Sequence, residues 1–386
     1  MGNTPKLPIY MDYQATTPMD RRVLDAMMPF LTDHFGNPHS STHSFGWMAE
    51  EAVNKAREQV ARLIGAQADE IIFTSGATES NNLAIKGMGR AYRQHRNRII
   101  TVATEHKCVL ESAAAMARDG MEVITLGVGR DGLVDQDELA SAINDDTLLV
   151  SLMTANNEIG VVQPIADIGA LCRDRRVFFH TDAAQAVGKM DVDVGAMKVD
   201  LMSLSGHKIY GPMGIGALYL RRDARLKPDP VMSGGGQEKG LRSGTLAPAL
   251  CVGMGEACAM ASELWREEAN RLRGFFDQMV TRLEQDVDGL TLNGHRDRRI
   301  PGNINISIAG VDADMLLSSL RDVAVSSGAA CASATEGPSY VLEAIGVPRD
   351  LAEASLRIGL GRQTTQAEID YALDHLIGAI TSLRNP

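Results

Sequence analysis

The sequence predicts an α/β fold in which a large domain holds a mostly parallel sheet and a smaller α+β domain lies beside it. Short runs of aliphatic and β-branched residues alternate with segments of helical periodicity through most of the chain. Polar and ionisable residues follow several of these runs directly. The chain has 386 residues, which is long for a single compact core, so two domains are expected.

Strand and helix patterns alternate through the first two thirds of the chain. A polar turn precedes the first helix, whose entry is marked by Pro18, and the second helix is amphipathic. Interleaved strands and helices are typical of a parallel sheet wrapped by helices. The predicted strands are 71–73, 98–102, 122–126, 147–153, 177–180, 201–204 and 214–220, and the predicted helices are 21–31, 46–64, one from 79, 107–118, 136–143 and 165–173.

A long helical region over 247–286 leads into the second domain. Its predicted strands are 291–292, 303–308, 323–326 and 355–360, and its predicted helices are 312–320 and 366–384. The sequence therefore predicts a large domain over 15–260, and a small domain formed by 1–14 together with 261–386.

Composition restricts the partners and the compartment. Lys and Arg number 38 against 49 Asp and Glu, and the net charge of −11 argues against nucleic acid as a partner. Five cysteines without CxxC spacing indicate neither a disulfide framework nor a structural zinc site. No apolar run approaches membrane-spanning length, and no secretory signal is visible. We therefore expect a cytoplasmic protein that works without a membrane.

Lys208 stands at a sharp bend between two predicted strands, in the stretch Ser-Gly-His-Lys. A lysine displayed in an enclosed site is the residue type that forms a Schiff base with a carbonyl cofactor, above all pyridoxal 5'-phosphate. A lone turn lysine is more often only a surface residue. The interpretation therefore depends on whether other groups that this cofactor requires are present.

Two further features meet the demands of that cofactor. Asp182 follows the strand predicted over 177–180, where a carboxylate could hold the pyridine nitrogen protonated, although a helix N-cap is an equal alternative. After the strand 71–73, the stretch Thr-Ser-Gly-Ala-Thr-Glu-Ser runs into a helix, and its N–H groups and hydroxyls suit a phosphate. Amine, carboxylate and phosphate cradle each follow a strand, which strengthens the prediction.

Several motifs carry a resemblance to a known family. They are TSGATESNNLAIKG, TEHK, NNEIG, HTDAAQAVGK, SGHKIYGPMGIG, RSGT and SSGAACAS. Together they resemble the cysteine desulfurases of the housekeeping iron–sulfur-cluster type, which are class V aminotransferase-like, fold-type I pyridoxal phosphate enzymes. The similarity runs from about residue 9 to residue 384.

The resemblance implies roles for individual residues. The cofactor-binding set is Ala77, Thr78, His106, Asn157, Asp182, Gln185, Ser205, His207, Lys208 and Thr245. Within it, His106 stacks on the ring and helps move protons, and Thr245 reaches the cofactor phosphate of the other subunit in a homodimer. Arg357 and Asn157 contact the substrate, with the guanidinium clamping its carboxylate. The early segment near residues 12–18 lies close to the active site.

Cys331 lies in a segment made almost wholly of small side chains, which we expect to be mobile and exposed. The other four cysteines sit in helical patterns and are expected to pack as small hydrophobic residues. An exposed thiol on a mobile segment suits sulfur transfer. The resemblance makes Cys331 a catalytic residue, beside Lys208 and His106, and a possible metal ligand through a [2Fe–2S] cluster shared with a scaffold partner.

The predicted activity is therefore conversion of L-cysteine to L-alanine with a persulfide on Cys331. The sulfur would pass to an iron–sulfur scaffold protein or to a tRNA-thiolation relay protein. Three alternatives remain: a selenocysteine lyase or aminotransferase on the same scaffold, a non-catalytic sulfur-relay or docking subunit, and a sulfurtransferase that uses only a thiol. The last of these would not need Lys208.

Overall fold

A computed structural model describes residues 5–223, 225–327 and 337–385. In chain order its elements begin with β1 (Ile9–Tyr10), α1 (Arg21–Thr32), α2 (Ser44–Leu63), β2 (Ile71–Thr74), α3 (Ala77–Tyr92), β3 (Arg98–Val102), α4 (Lys107–Arg118), β4 (Glu122–Leu126), α5 (Gln136–Ala142), β5 (Thr147–Ser151), α6 (Ile165–Asp174), β6 (Phe178–Asp182), β7 (Leu201–Ser205), β8 (Gly216–Leu220) and α7 (Pro248–Asp286). They continue with β9 (Leu290–Leu292), β10 (Asn303–Ile308), α8 (Ala313–Ser319), β11 (Val323–Ala324), β12 (Ser326–Ser327), α9 (Tyr340–Ala344), α10 (Arg349–Glu353), β13 (Ser355–Gly359) and α11 (Gln366–Arg384).

The larger sheet has seven strands in the order β2-β8-β7-β6-β5-β3-β4. The pairs from β7 through β6, β5 and β3 to β4 are parallel, whereas β8 is antiparallel to both β7 and β2. The prediction of a mostly parallel sheet is thus confirmed. Because parallel strands point the same way, the carboxyl ends of β3, β5, β6 and β7 share one edge of this sheet.

The smaller sheet has four strands in the order β12-β13-β10-β9, and all of its pairs are antiparallel. A separate parallel pair joins β1 to β11. The single strand predicted over 323–326 is wrong, because the chain pairs with β1 through Ala324 and with β13 from Ser326 onward. The N-terminal strand therefore packs with the later part of the chain, although the domain limits themselves stay a prediction.

Helix α7 connects the two hydrophobic cores. It is 39 residues long, which corresponds to about 58 Å of continuous helix. Its first half, including Cys251 and Met254, packs into the core around the seven-stranded sheet. Its second half, including Phe276 and Leu283, packs into the core that also holds Ile304 and Ile306 of β10. One rigid element therefore fixes the two sheets relative to each other.

Helix α2 begins two residues before its predicted start, because the ring of His43 caps it. The Nδ1 atom of His43 accepts a hydrogen bond from the N–H of Gly46 at 3.2 Å. The strand predicted over 147–153 ends at Ser151, although the N–H of Leu152 still bonds to the carbonyl of His180. Within the described residues, no helix combines the length and apolar character needed to cross a membrane.

The glycine-rich segment over 233–245 is pinned to the larger domain by Glu238. Its carboxylate binds Arg57 of α2 through two hydrogen bonds of 2.6 and 2.8 Å, and it accepts the N–H of Phe73 at 2.6 Å. The side chains of Glu238 and Arg57 are 3% and 15% exposed. Glu238 therefore fixes this glycine-rich segment to α2 and β2.

We predict that Glu238→Gln lowers the free energy of unfolding by about 3 kcal/mol, since it leaves the Arg57 charge buried without its counter-ion. Glu122→Gln is the matched control, because Glu122 also forms two hydrogen bonds with an arginine, Arg98, but is 45% exposed. Glu122→Gln should lower the free energy of unfolding by less than about 1 kcal/mol. Urea denaturation of both variants measures the difference, and equal losses would contradict a role for Glu238 in anchoring the segment.

Candidate active site

A cavity of about 610 Å³ lies at the carboxyl edge of the larger sheet and extends to the smaller one. Ten of the residues predicted for the site line it: Ala77, Thr78, His106, Asn157, Asp182, Gln185, Ser205, His207, Lys208 and Arg357. Thr245 is exposed and is not among the lining residues of its own chain. Cys331 lies outside the described residues.

Lys208 ends a 3-10 turn that follows directly on β7. Its Nζ atom donates to the carbonyl oxygens of Gln14 and Ala15, the latter at 2.7 Å. A Cβ at Gly206 would lie 2.9 Å from Cγ2 of Ile215 and 3.0 Å from the carbonyl oxygen of Pro212, so a larger residue there would force its neighbours to shift. The antiparallel return of β8 thus places the amine at the cavity edge.

Asp182 is the last residue of β6 and is buried. Its Oδ1 accepts the N–H of Ala184 at 2.9 Å, and its Oδ2 accepts the side-chain amide of Asn81 at 2.7 Å. Both carboxylate oxygens are therefore oriented by donors. The chain between Asp182 and β7 forms turns and no helix, so the helix N-cap alternative is wrong. Asn81 of α3 was not predicted as part of the site.

The start of α3 offers backbone N–H groups to the cavity. Its N-cap is Gly76, at φ 152°, and no side chain of the described residues caps it. The N–H of Ser75 is already bonded to Glu79, whose other carboxylate oxygen binds Arg242 at 2.9 Å. Hydrogen bonds from Arg242 and Ser75 outweigh burial and lower the pKa of Glu79. The first N–H groups of α3 have no partners within the helix, so this terminus suits an anion bound in the cavity.

His106 is the N-cap of α4, and its ring faces the cavity. Its Nδ1 accepts the N–H of Cys108 at 3.2 Å and lies 3.0 Å from the sulfur of Cys108. Because Nδ1 accepts a hydrogen bond, the proton of the neutral ring is assigned to Nε2. Burial lowers the pKa of His106, which favours this neutral form.

Cys108 corrects one expectation. It packs on one side against apolar residues, but it also lines the cavity, with its sulfur 3.1 Å from the amide nitrogen of Asn81. Burial raises the pKa of the Cys108 thiol to about 12, so it is a thiol at neutral pH. The expectation of buried packing is confirmed for Cys172, Cys251 and Cys258. The helical pattern alone gives no sign that position 108 faces the cavity.

The N-terminal segment forms a wall of the site. The carbonyl of Gln14 accepts from Gln185 at 2.9 Å as well as from Lys208. Lys189 donates to Oε1 of Gln185 at 2.9 Å, which fixes the amide orientation because a lysine can only donate. Burial, together with the charges of Lys208 and Arg357, lowers the pKa of Lys189 to about 7. Thr16 contacts Nδ1 of His207 at 3.0 Å.

Arg357 reaches the cavity from the centre of β13 and is only 2% exposed. Its Nη2 lies 2.8 Å from Oδ1 of Asp12, and its Nη1 donates to the carbonyl of Asn157 at 3.2 Å. Asp12 was not predicted individually, although the early segment that holds it was. The smaller sheet therefore supplies a guanidinium to a cavity that is also lined by the N-terminal segment and by residues at the carboxyl edge of the larger sheet.

The two flanks of the Cys331 segment are held by carboxylates. Ser326 donates to Oδ2 of Asp12 at 2.8 Å, and the Ser339 hydroxyl donates to Glu158. Burial raises the pKa of Glu158 to about 7, against the lowering effect of the Ser339 hydrogen bond. The chain on both sides of Cys331 is thus fixed next to the cavity.

Comparisons with known proteins agree with this geometry. Residues 9–372 match the family model described as aminotransferase class-V. The chain is 52% identical over 382 residues to the cysteine desulfurase IscS of Rickettsia felis, and the match covers 99% of this chain and 93% of that relative.

Two solved structures are similar over nearly the whole chain. A NifS-like protein has a TM-score of 0.91 and 33% identity, covering 98% of this chain and all (100%) of that one. The structure described as SspA in complex with cysteine has a TM-score of 0.81 and 37% identity, covering 92% and 100%. Both the identities and the coverage are high enough to assign the family. The chain belongs to the class V aminotransferases and, within them, to the cysteine desulfurases.

Proposed function

We propose that this cysteine desulfurase uses pyridoxal 5'-phosphate to convert L-cysteine to L-alanine and collects the sulfur as a persulfide on Cys331. The observation that carries the proposal is the convergence of an amine, a carboxylate and a guanidinium on one cavity, from Lys208, Asp182 and Arg357. A cysteine is bound in the similar SspA structure, which supports L-cysteine as the substrate.

The residues present fit the proposed cofactor. Lys208 would hold its aldehyde carbon, Asp182 would bind its ring nitrogen, and the first turn of α3 with Ala77 and Thr78 would hold its phosphate, assisted by Ser205 and His207. Gln185 directs its amide nitrogen away from Lys189, so its N–H can donate to the phenolic oxygen. When bound, pyridoxal phosphate withdraws electrons from the bonds of the amino acid's α-carbon.

The chain's own residues divide the remaining tasks. Arg357 binds the substrate carboxylate, Nζ of Lys208 takes and returns a proton, and His106 holds a proton at Nε2 facing the cavity. The Cys331 thiolate attacks the substrate sulfur, so an S–S bond forms while the bond from that sulfur to the β-carbon breaks. Protonation of the remaining fragment gives L-alanine.

We further propose that the enzyme acts as a cytoplasmic homodimer in which Thr245 contacts the cofactor phosphate of the other subunit. Its exposure outside its own cavity supports this arrangement. The persulfide would be delivered to an iron–sulfur scaffold protein or a tRNA-thiolation relay protein. A [2Fe–2S] cluster on Cys331 would be shared with that scaffold; among the residues that the structure describes, no three His, Cys, Asp or Glu side chains are grouped to hold a metal ion.

The first test incubates the purified protein with L-cysteine and a reductant and measures alanine and sulfide. Cys331→Ala should lower both by at least about 100-fold, because the nucleophile is lost, while the visible absorbance of the bound cofactor stays. Cys172→Ala, a buried cysteine away from the cavity, is the control and should stay within about twofold. Wild-type protein that forms a keto acid instead of alanine and sulfide would favour an aminotransferase.

The second test removes the amine. Lys208→Ala should abolish the visible absorbance that the wild type shows with pyridoxal phosphate and lower alanine formation by at least about 100-fold. Lys55→Ala removes an exposed amine of α2 and should change neither property. Full activity in Lys208→Ala would instead support a sulfurtransferase that works by thiol chemistry alone.

A further inference from the structure

Asp12 occupies a position that the proposed chemistry does not yet explain. It follows β1 and pairs with Gly359, the last residue of β13, so its backbone is fixed against the strand that carries Arg357. One carboxylate oxygen lies 2.8 Å from Nη2 of Arg357, and the other accepts the hydroxyl hydrogen of Ser326 at 2.8 Å. Asp12 thus joins the guanidinium to the chain that leads to Cys331.

The pairing of Arg357 with Asp12 restricts how Arg357 can bind another carboxylate, because a guanidinium is planar and its N–H groups have fixed directions. A carboxylate binds it through two adjacent N–H groups, and the two edges that offer such a pair are Nε with Nη2 and Nη1 with Nη2. Both edges include Nη2, which already holds Asp12 and lies 3.3 Å from the Ser326 oxygen. A carboxylate that binds in this way must therefore share Nη2 with Asp12 or displace it.

The charges of Asp12 and Arg357 also indicate that Asp12 opposes a second carboxylate at Arg357. Arg357 is 2% exposed and Asp12 is 17% exposed, so their attraction is screened by little water. Other acidic groups that line the cavity have partners of their own: Glu79 binds Arg242, and Asp182 accepts hydrogen bonds from Asn81 and Ala184. Asp12 is thus the carboxylate placed to oppose a second anion at Arg357.

We propose that Asp12 is a positioning residue that limits the affinity of Arg357 for the α-carboxylate of the bound amino acid, so that the product alanine is released. The proposal rests on the proposed function. Cysteine and alanine carry the same α-carboxylate, so an interaction with it holds substrate and product equally and does not by itself speed the chemistry. Asp12 keeps the guanidinium in place while its negative charge weakens that uniform binding.

The test uses Asp12→Asn, which keeps the side-chain size and an oxygen acceptor for Nη2 but removes the charge. L-Alanine is titrated into the pyridoxal-phosphate-loaded protein, and binding is followed by the cofactor absorbance. We expect Asp12→Asn to bind alanine at least about fivefold more tightly than the wild type. Asp25→Asn, which removes a carboxylate from the exposed pair with Arg21, should leave the affinity within about twofold.

A ligand control locates the effect at the carboxylate. L-Alaninamide has the same amine and methyl group but no carboxylate, so its affinity should be the same for Asp12→Asn and the wild type. In turnover with L-cysteine, KM and kcat should both fall in the variant, and alanine should inhibit it more strongly. A general structural defect would instead raise KM or weaken both ligands.

Unchanged or weaker alanine binding in Asp12→Asn, or equal gains for alanine and alaninamide, would overturn the proposal. Should Asp12→Asn fail to fold, Asp12→Ser removes the same charge with a smaller side chain, and alanine affinity must rise in it too. Failure of the proposed function is a separate result, because it would appear as wild-type protein that forms no alanine or sulfide from L-cysteine, whatever the alanine titration gives.

Discussion

The structure depends on how β8 returns along β7. These strands pair antiparallel from Leu201 opposite Leu220 to Ser205 opposite Gly216, while the other side of β7 pairs in parallel with β6. The chain must therefore reverse immediately after Ser205, at the sheet edge where the parallel strands end. Because Asp182 pairs with Ser203 in the same register, the backbone ladder brings the carboxylate of Asp182 and the turn that carries Lys208 to one cavity.

A second constraint is that distant parts of the chain together form the cavity. Gln14 and Ala15 hold Lys208, Asp12 holds Arg357, and α7 joins the cores on which these groups stand. A small change in the relative position of the two sheets would move the guanidinium relative to the amine. The ion pair of Arg357 with Asp12 ties its positive charge to the N-terminal segment and, through Ser326, to the flank of the Cys331 segment.

Much of the fold could be predicted because its strands and helices have clear local periodicity. The bounds of β3, β10, α4 and α11 agree with those predicted, since each has an apolar pattern that ends where polar residues begin. The predicted bounds are wrong where a strand's pairing partner sets its ends. Residues 323–326 divide between two sheets, and β5 ends at Ser151, where its ladder with β6 ends. The local periodicity of a segment does not reveal which strand, distant in sequence, will pair with it.

The sequence by itself determined which chemical groups the site contains, namely an amine, a carboxylate and a turn of small residues suited to a phosphate. Lys208, Asp182 and the small residues before α3 each follow a strand, and a motif pattern running nearly the whole chain indicated the family that the comparisons confirm. Only the tertiary structure brought Asp12 to Arg357, Asn81 to Asp182 and Cys108 to Asn81. The physical reason is that a side chain's role as a catalytic group can be visible in its local motif, whereas the groups that orient it are chosen by which elements pack together.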